Sequence, residues 1–375
     1  MTQPKQIVRP DVYATKAYPV QDATGMVKLD AMENPYQLPD SLREQLSRIL
    51  LDLPLNRYPV PNTASLEASL RKSTDIPRGA KIMFGNGSDE LIDIIIRTCC
   101  VPGDVVMAPE PTFVMYSTSA KWSHAQYVGV DLAPDFSLDL HATLRAIAVH
   151  KPKVVFLAYP NNPTGLAFKQ SEMIQIIQTC QGLVVIDEAY EAFADHSFIS
   201  QVLEYPNVVV IRTLSKMGLA GIRLGYLVAS SIWVDQFNKV RPPYNVNVLT
   251  RTVAQFALDH SDVLAQQAKQ LKINRAVLGV ALKKIPQQTG IQLDVFPSEA
   301  NFILFRIDKA HEVFEGLKAR QILVKNVGHH HQLLHNCIRV TVSSQDEHVQ
   351  FLTALKATLA DLANFELNSA QEESP

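Results

Sequence analysis

The chain has 375 residues, 47% of them hydrophobic, with 35 basic and 37 acidic side chains and a formal net charge of -2. That content can bury a large core, more readily as two packed lobes than one, while the near-neutral charge and lack of a basic block argue against nucleic acid as the main partner. Residues 1–11 have no apolar core for a secretory signal, no stretch is long and apolar enough to span a membrane, and Cys99, Cys100, Cys180 and Cys337 form no spaced framework, so reduced thiols in the cytoplasm are expected.

From about Ser41 the pattern alternates helices with apolar strand-like runs as far as residues 224–228, which predicts a mostly parallel sheet with helices on both faces. The run at 81–84 leads into Gly87, Ser88 and Asp89 and then an apolar helix over 91–96. Backbone N–H groups and the helix dipole there would hold a phosphate; an ordinary helix cap at Ser88 is the plain alternative. The run at 154–158 leads into Asn161-Asn162-Pro163-Thr164-Gly165, where Asn162 carries an amide suited to a ring oxygen, although the same five residues also make a good turn. Asp187 closes the wholly apolar run at 183–186, and Tyr190 follows. An unpaired carboxylate is costly in such a place, so Asp187 is expected to face a cation such as a protonated pyridine nitrogen.

The run at 208–211 ends in Thr213-Leu214-Ser215-Lys216, with Arg223 seven residues past the lysine. A lysine that forms a Schiff base with a cofactor aldehyde needs the cofactor's phosphate held nearby by hydroxyls and a fixed cation; a surface lysine after a buried strand is the alternative. Every one of these motifs follows an apolar run, so all are expected at the carboxyl edge of one sheet, where open α/β folds bind ligands. Beyond the break at 240–245, a helix over 249–258 and a long connecting helix through 272–282 are predicted. Strands at 301–306 and 337–342 and a helix at 348–362 would form a smaller lobe. The expected division is an N-terminal segment, 1–40, packing on the small lobe, a large domain, 41–260, and the connecting helix with the small C-terminal domain, 261–375. His329, His330 and His331 cannot all reach one metal from an ordered strand and have no carboxylate cluster beside them, so they read as a solvated loop adding positive charge near the substrate, with no metal site.

The ordered set Asn162, Asp187, Tyr190, Lys216 and Arg223 resembles the fold type I pyridoxal-phosphate-dependent aminotransferases. Segments 17–19, 29–36, 56–59, 109–113 and 338–342 narrow the resemblance to the histidinol-phosphate aminotransferase family, from near the start of the chain to near its end. The resemblance implies an α/β fold with a large, mostly parallel-sheet lobe plus a smaller α+β lobe, and pyridoxal 5'-phosphate as cofactor. It also implies a homodimer that transfers an amino group between L-histidinol phosphate or imidazole-acetol phosphate and 2-oxoglutarate or L-glutamate in histidine biosynthesis. An aromatic aminotransferase acting on phenylalanine or tyrosine, or a decarboxylase of phosphorylated amino acids using the same cofactor, are the alternatives. By position, Lys216 would bind the cofactor aldehyde and then shuttle a proton. Gly87, Ser88, Asp89, Thr213, Ser215 and Arg223 would hold the phosphate, Phe113 would lie on the ring face, and Asp187, Asn162 and Tyr190 would grip the ring edge. Arg339 would take the substrate carboxylate with help from Asn34, and Tyr58 would reach the neighbouring subunit's cofactor phosphate. Tyr18 and Lys325 would lie near the substrate's own phosphate. Many family members have arginine where this chain has Lys325, which offers a point charge in place of a planar fork.

Overall fold

Three runs, Val-Val-Phe-Leu-Ala, Leu-Val-Val-Ile-Asp and Val-Val-Val-Ile-Arg-Thr, are buried at every position, as a parallel sheet covered on both faces requires. In the computed structural model, which describes residues 3–17 and 20–372, they lie at the centre of a seven-stranded sheet. Its strands are β1 (Lys81–Asn86), β2 (Val105–Glu110), β3 (Gln126–Asp131), β4 (Val154–Ala158), β5 (Leu183–Asp187), β6 (Val208–Thr213) and β7 (Leu224–Ala229). The spatial order is β1-β7-β6-β5-β4-β2-β3. Only β7 runs antiparallel to its neighbours, so the residue that begins β7 lies at the same edge as the residues that end β1 and β6.

Alternate residues of the central strands serve opposite cores because successive side chains leave a strand on opposite faces. Leu157, Val184, Ile186 and Val210 pack with Met173 and Ile176 of the helix Gln170–Thr179. Phe156, Val185, Val209 and Ile211 pack with Leu91 and Ile95 of the helix Gly87–Cys99. Each such side chain contributes about 1.5–3 kcal/mol through burial.

A second, antiparallel sheet contains β8 (Leu293–Val295), β9 (Phe302–Ile307), β10 (Lys325–Asn326) and β11 (Cys337–Thr341), in the order β10-β11-β9-β8. Its core joins Phe302, Phe305, Ile338 and Val340 to Leu271, Leu278 and Leu282 of the helix Ser261–Lys283. Leu29 and Met32 from the N-terminal segment share this core, as do Tyr190 and Phe193 from the turn after β5. Val27–Lys28 also pairs in parallel with Ile322–Leu323. The chain therefore crosses between the two sheets next to the site residues, and Arg275 binds the carbonyls of both Phe193 and Ala300.

The helix expected at 249–258 runs Val248–Asp259, started by the Asn247 side chain accepting from the Thr250 N–H. The connecting helix begins at Ser261, well before residue 272, and the closing helix runs Gln345–Glu372. No helix among the described residues is long and apolar enough to cross a membrane.

Candidate active site

At the carboxyl edge of β1 the chain turns directly into the helix Gly87–Cys99, whose N-cap is Asn86 and not Ser88. Asn86 makes no side-chain capping bond, so the N–H groups of the first turn stay available to an anion. Gly87 has φ +75°, and a Cβ there would sit 2.7 Å from Arg223 Nη2. A Cβ on Gly225 would fall 2.5 Å from the Gly87 carbonyl carbon, so a glycine in β7 is what lets the helix start approach the sheet. Arg223 immediately precedes β7 and adopts φ 52°, a left-handed conformation that costs a non-glycine residue about 1 kcal/mol. It donates to Asp89 Oδ2 at 3.1 Å and reaches Ser215 Oγ at 3.5 Å. Thr213 Oγ1 accepts from the Ser215 N–H at 3.2 Å and lies 2.9 Å from Ser215 Oγ, fixing the turn that carries Lys216.

Asp187 ends β5 and is 4% exposed. The expected cation is not a protein group: Oδ2 accepts from the Tyr116 hydroxyl at 2.7 Å and Oδ1 from the Ala189 N–H at 3.1 Å. Burial pushes its pKa up to about 6, against the pull of those two donors and with a further push from Asp89 and Glu188. Tyr116 stacks on Phe156, centroids 4.4 Å apart, and meets Phe113 edge-on at 5.7 Å. Asn162 Oδ1 accepts from Arg339 Nη1 at 2.5 Å, which leaves its amide nitrogen as the donor end. Tyr190 packs edge-on against Phe302 at 5.1 Å and has its ring 5.8 Å from Lys216 Nζ.

Lys216 donates to the Ala31 carbonyl at 3.1 Å. Its pKa falls to about 8, first through burial and then through Arg339 and Arg223, partly offset by Glu33 and Asp89. One cavity is lined by Ser88, Asp89, Phe113, Asn162, Asp187, Tyr190, Thr213, Ser215, Lys216 and Arg223. Residues read from five separate stretches of sequence thus meet in one place. A second cavity shares Met32, Phe113 and Asn162 with the first and adds Arg339, Lys325, His330 and His331. Lys325 on β10 pairs directly with Arg339 on β11.

The histidine loop differs from the expected solvated positive patch. His331 bridges to Asp131 at the end of β3, Nε2 to Oδ1 3.2 Å, and the His330 ring lies 4.2 Å from that of His329. Partial burial, with His329, Lys325 and Arg339 nearby, pushes the His330 pKa down to about 4, so at neutral pH it is a neutral donor and acceptor. Two expected site residues lie outside both cavities. Asn34 lines neither cavity: its amide donates to Gln267 Oε1 at 2.9 Å and the Met217 carbonyl at 3.3 Å, bracing the turn after Lys216. Tyr58 is 79% exposed and stacks on Tyr244 at 4.7 Å. Tyr18 lies outside the described residues. Tyr116 is the site residue that sequence reading missed; its position in an apolar-faced helix start is also what a packing residue would show.

These groups fit pyridoxal phosphate. An anion cradle at a helix start, a buried amine whose pKa is lowered to about 8, and a buried carboxylate with neutral donors match its phosphate, aldehyde and pyridine nitrogen. Such an edge on a sheet of this topology defines a fold type I pyridoxal-phosphate-dependent transferase. Residues 24–355 match the family model for aminotransferase class I and II, and the chain belongs to that family. A histidinol-phosphate aminotransferase of Burkholderia lata is 49% identical over 360 residues, 96% of this chain and 99% of that one. One from Chromobacterium violaceum is 50% identical over 352 residues, 94% and 98% of the two chains. The crystal structure of the Sinorhizobium meliloti histidinol-phosphate aminotransferase in complex with pyridoxal-5'-phosphate superposes with TM-score 0.82 over 95% of this chain and 98% of that one; at 23% identity it speaks for the fold.

Proposed function

We infer that this aminotransferase exchanges an amino group between L-glutamate or 2-oxoglutarate and L-histidinol phosphate or imidazole-acetol phosphate, in histidine biosynthesis. The observation that carries the reading is the second cavity, adjoining the first at Met32, Phe113 and Asn162, in which Lys325 beside Arg339 adds a further cation where a phosphate-bearing side chain would extend. Near-full-length relatives at 49–50% identity that bear the histidinol-phosphate aminotransferase name support it.

Bound in the first cavity, pyridoxal phosphate supplies an electron sink for the pair left at the substrate α-carbon when its proton departs. Ser88, Ser215, Arg223 and the backbone at the helix start would hold the phosphate. Asp187 would keep the ring nitrogen protonated, Asn162 and Tyr190 would donate to the ring 3-oxygen, and Phe113 would cover a ring face. Lys216 Nζ would take the α-proton and carry it toward the cofactor's aldehyde carbon; a pKa near 8 leaves a neutral fraction at physiological pH. Arg339 releases Asn162 or shares it on binding the substrate carboxylate, since its guanidinium can pair with two oxygens at once.

We place the enzyme in the cytoplasm as a homodimer, its four cysteines unpaired. Tyr58 would extend into the partner's site, a role suited to its exposure beside the apolar Leu55 and Val60.

The test is the half-reaction: load the protein with pyridoxal phosphate, add histidinol phosphate, phenylalanine or glutamate separately, and follow loss of the absorbance of the lysine-bound cofactor. Conversion by glutamate, and by histidinol phosphate at far lower concentration than by phenylalanine, is expected. Lys325→Ala should raise the half-saturating histidinol phosphate concentration roughly tenfold and leave that of glutamate unchanged. Preference for phenylalanine would move the enzyme to aromatic substrates, and carbon dioxide release without need of an oxo acid would make it a decarboxylase.

A further inference from the structure

Tyr116 is fully buried, yet a phenylalanine would fill its space and stack equally well on Phe156. The hydroxyl must therefore have a use, because a buried O–H without a partner is unfavourable. Its partner is Asp187 Oδ2, and the other carboxylate oxygen is held by the Ala189 N–H. Around this carboxylate stand Asp89 from the helix Gly87–Cys99, Glu188 next in the chain, and Tyr190 and Tyr127 near the Tyr116 hydroxyl, all of which either repel a negative charge or leave it uncompensated. Lys216 and Arg223 line the same cavity, but neither is an ion-pair partner of Asp187 among the described residues. Tyr116 is thus the strongest donor that the protein itself gives this carboxylate.

We propose that Tyr116 is a positioning residue, which holds Asp187 in its anionic form and in register for the cofactor's pyridine nitrogen before the cofactor arrives. The proposal rests on the pyridoxal-phosphate reading of the cavity. Without the phenol, burial and the neighbouring carboxylates would keep Asp187 protonated to higher pH, and the proton needed on the ring nitrogen would be shared with the acid. The edge contact between Tyr116 and Phe113 ties the same side chain to the residue covering the ring, so one helix, Met115–Trp122, serves both the ring edge and its face.

The experiment is calorimetric titration of the full-length, cofactor-free protein with pyridoxal phosphate in buffers of different ionisation heat, from pH 5 to 9, which reads the protons taken up on binding. The wild type should show a change in uptake with a midpoint of about 6, the pKa of Asp187, and Asp187→Asn should lack it. Tyr116→Phe should move that midpoint up by roughly one to two pH units, the size of a hydrogen bond to a charged group. A merely structural tyrosine would leave the midpoint where it is, and that result overturns the proposal. Should Tyr116→Phe not fold, 3-fluorotyrosine placed at position 116 keeps the ring and donates more strongly; the midpoint then falls below that of the wild type, and an unchanged midpoint overturns the proposal equally. If wild type and Asp187→Asn behave alike, the cofactor reading of Asp187 fails instead.

Discussion

Asp187 and Glu188 are adjacent carboxylates, both buried, and they live in opposite surroundings. Asp187 faces the ligand edge with a phenol and one backbone N–H for company. Glu188, 0% exposed, points the other way off the strand end and is matched by Arg212 Nε at 2.8 Å, the Ser197 hydroxyl and the Phe198 N–H. Arg212 also reaches Glu191 at 3.2 Å and Ser197 Oγ at 2.8 Å. The second arrangement is complete in itself and pins the turn that carries Tyr190. The first has no cationic partner among the described residues, only neutral donors. A buried charge already paired reads as an anchor, while one that the protein leaves uncompensated marks the place where something else binds.

The largest expected effect lies on the ligand side. Lys216→Ala should lose about a thousandfold or more of multiple-turnover transamination with its fold intact by circular dichroism; full turnover would remove the lysine from the mechanism. Next is the anchor. Arg212→Met strips the cation from Glu188 and Glu191, and should cost about 3–5 kcal/mol in urea unfolding of the cofactor-free protein. A loss under about 1 kcal/mol would erase the contrast between the two carboxylates. The third change has the opposite sign. The folded pKa of Asp187 is raised, so its contribution is fully present below the unfolded value of about 3.8, where the acid is neutral in both states, and is lost as pH rises through about 6. Asp187→Asn removes that loss. Above pH 6 the cofactor-free variant should be more stable than wild type by up to about 3 kcal/mol, with no gain near pH 4, while it binds the cofactor productively no longer. Destabilisation at every pH would mean that Asp187 is an anchor like its neighbour.

The edge motifs were legible because each is local: an apolar run, then a few residues whose chemistry follows the strand end. Lys216, Asp187, Asn162 and Arg223 meet in space because parallel strands align their carboxyl ends and the single antiparallel strand, β7, begins there. Asn34 was expected beside the substrate carboxylate; in the fold its amide donates to Gln267 and to the Met217 carbonyl in the turn after Lys216, contacts across the chain that its neighbours in sequence do not announce. The histidine loop was read as a charged patch because a sequence does not say what surrounds a ring; here burial, with a neighbouring histidine and two cations, keeps His330 neutral. Tyr116 was invisible because its partner lies 71 residues away, and Arg212 because 24 residues separate it from Glu188.

By itself, the sequence determined the strand runs, the motifs that end them and the family they resemble, since hydrophobic periodicity and short-range chemistry are written residue by residue. Only the tertiary structure decided which buried carboxylate is satisfied and which is left waiting, because charge compensation depends on distances across elements far apart in the chain, and a few ångströms there separate an ion pair from a binding site.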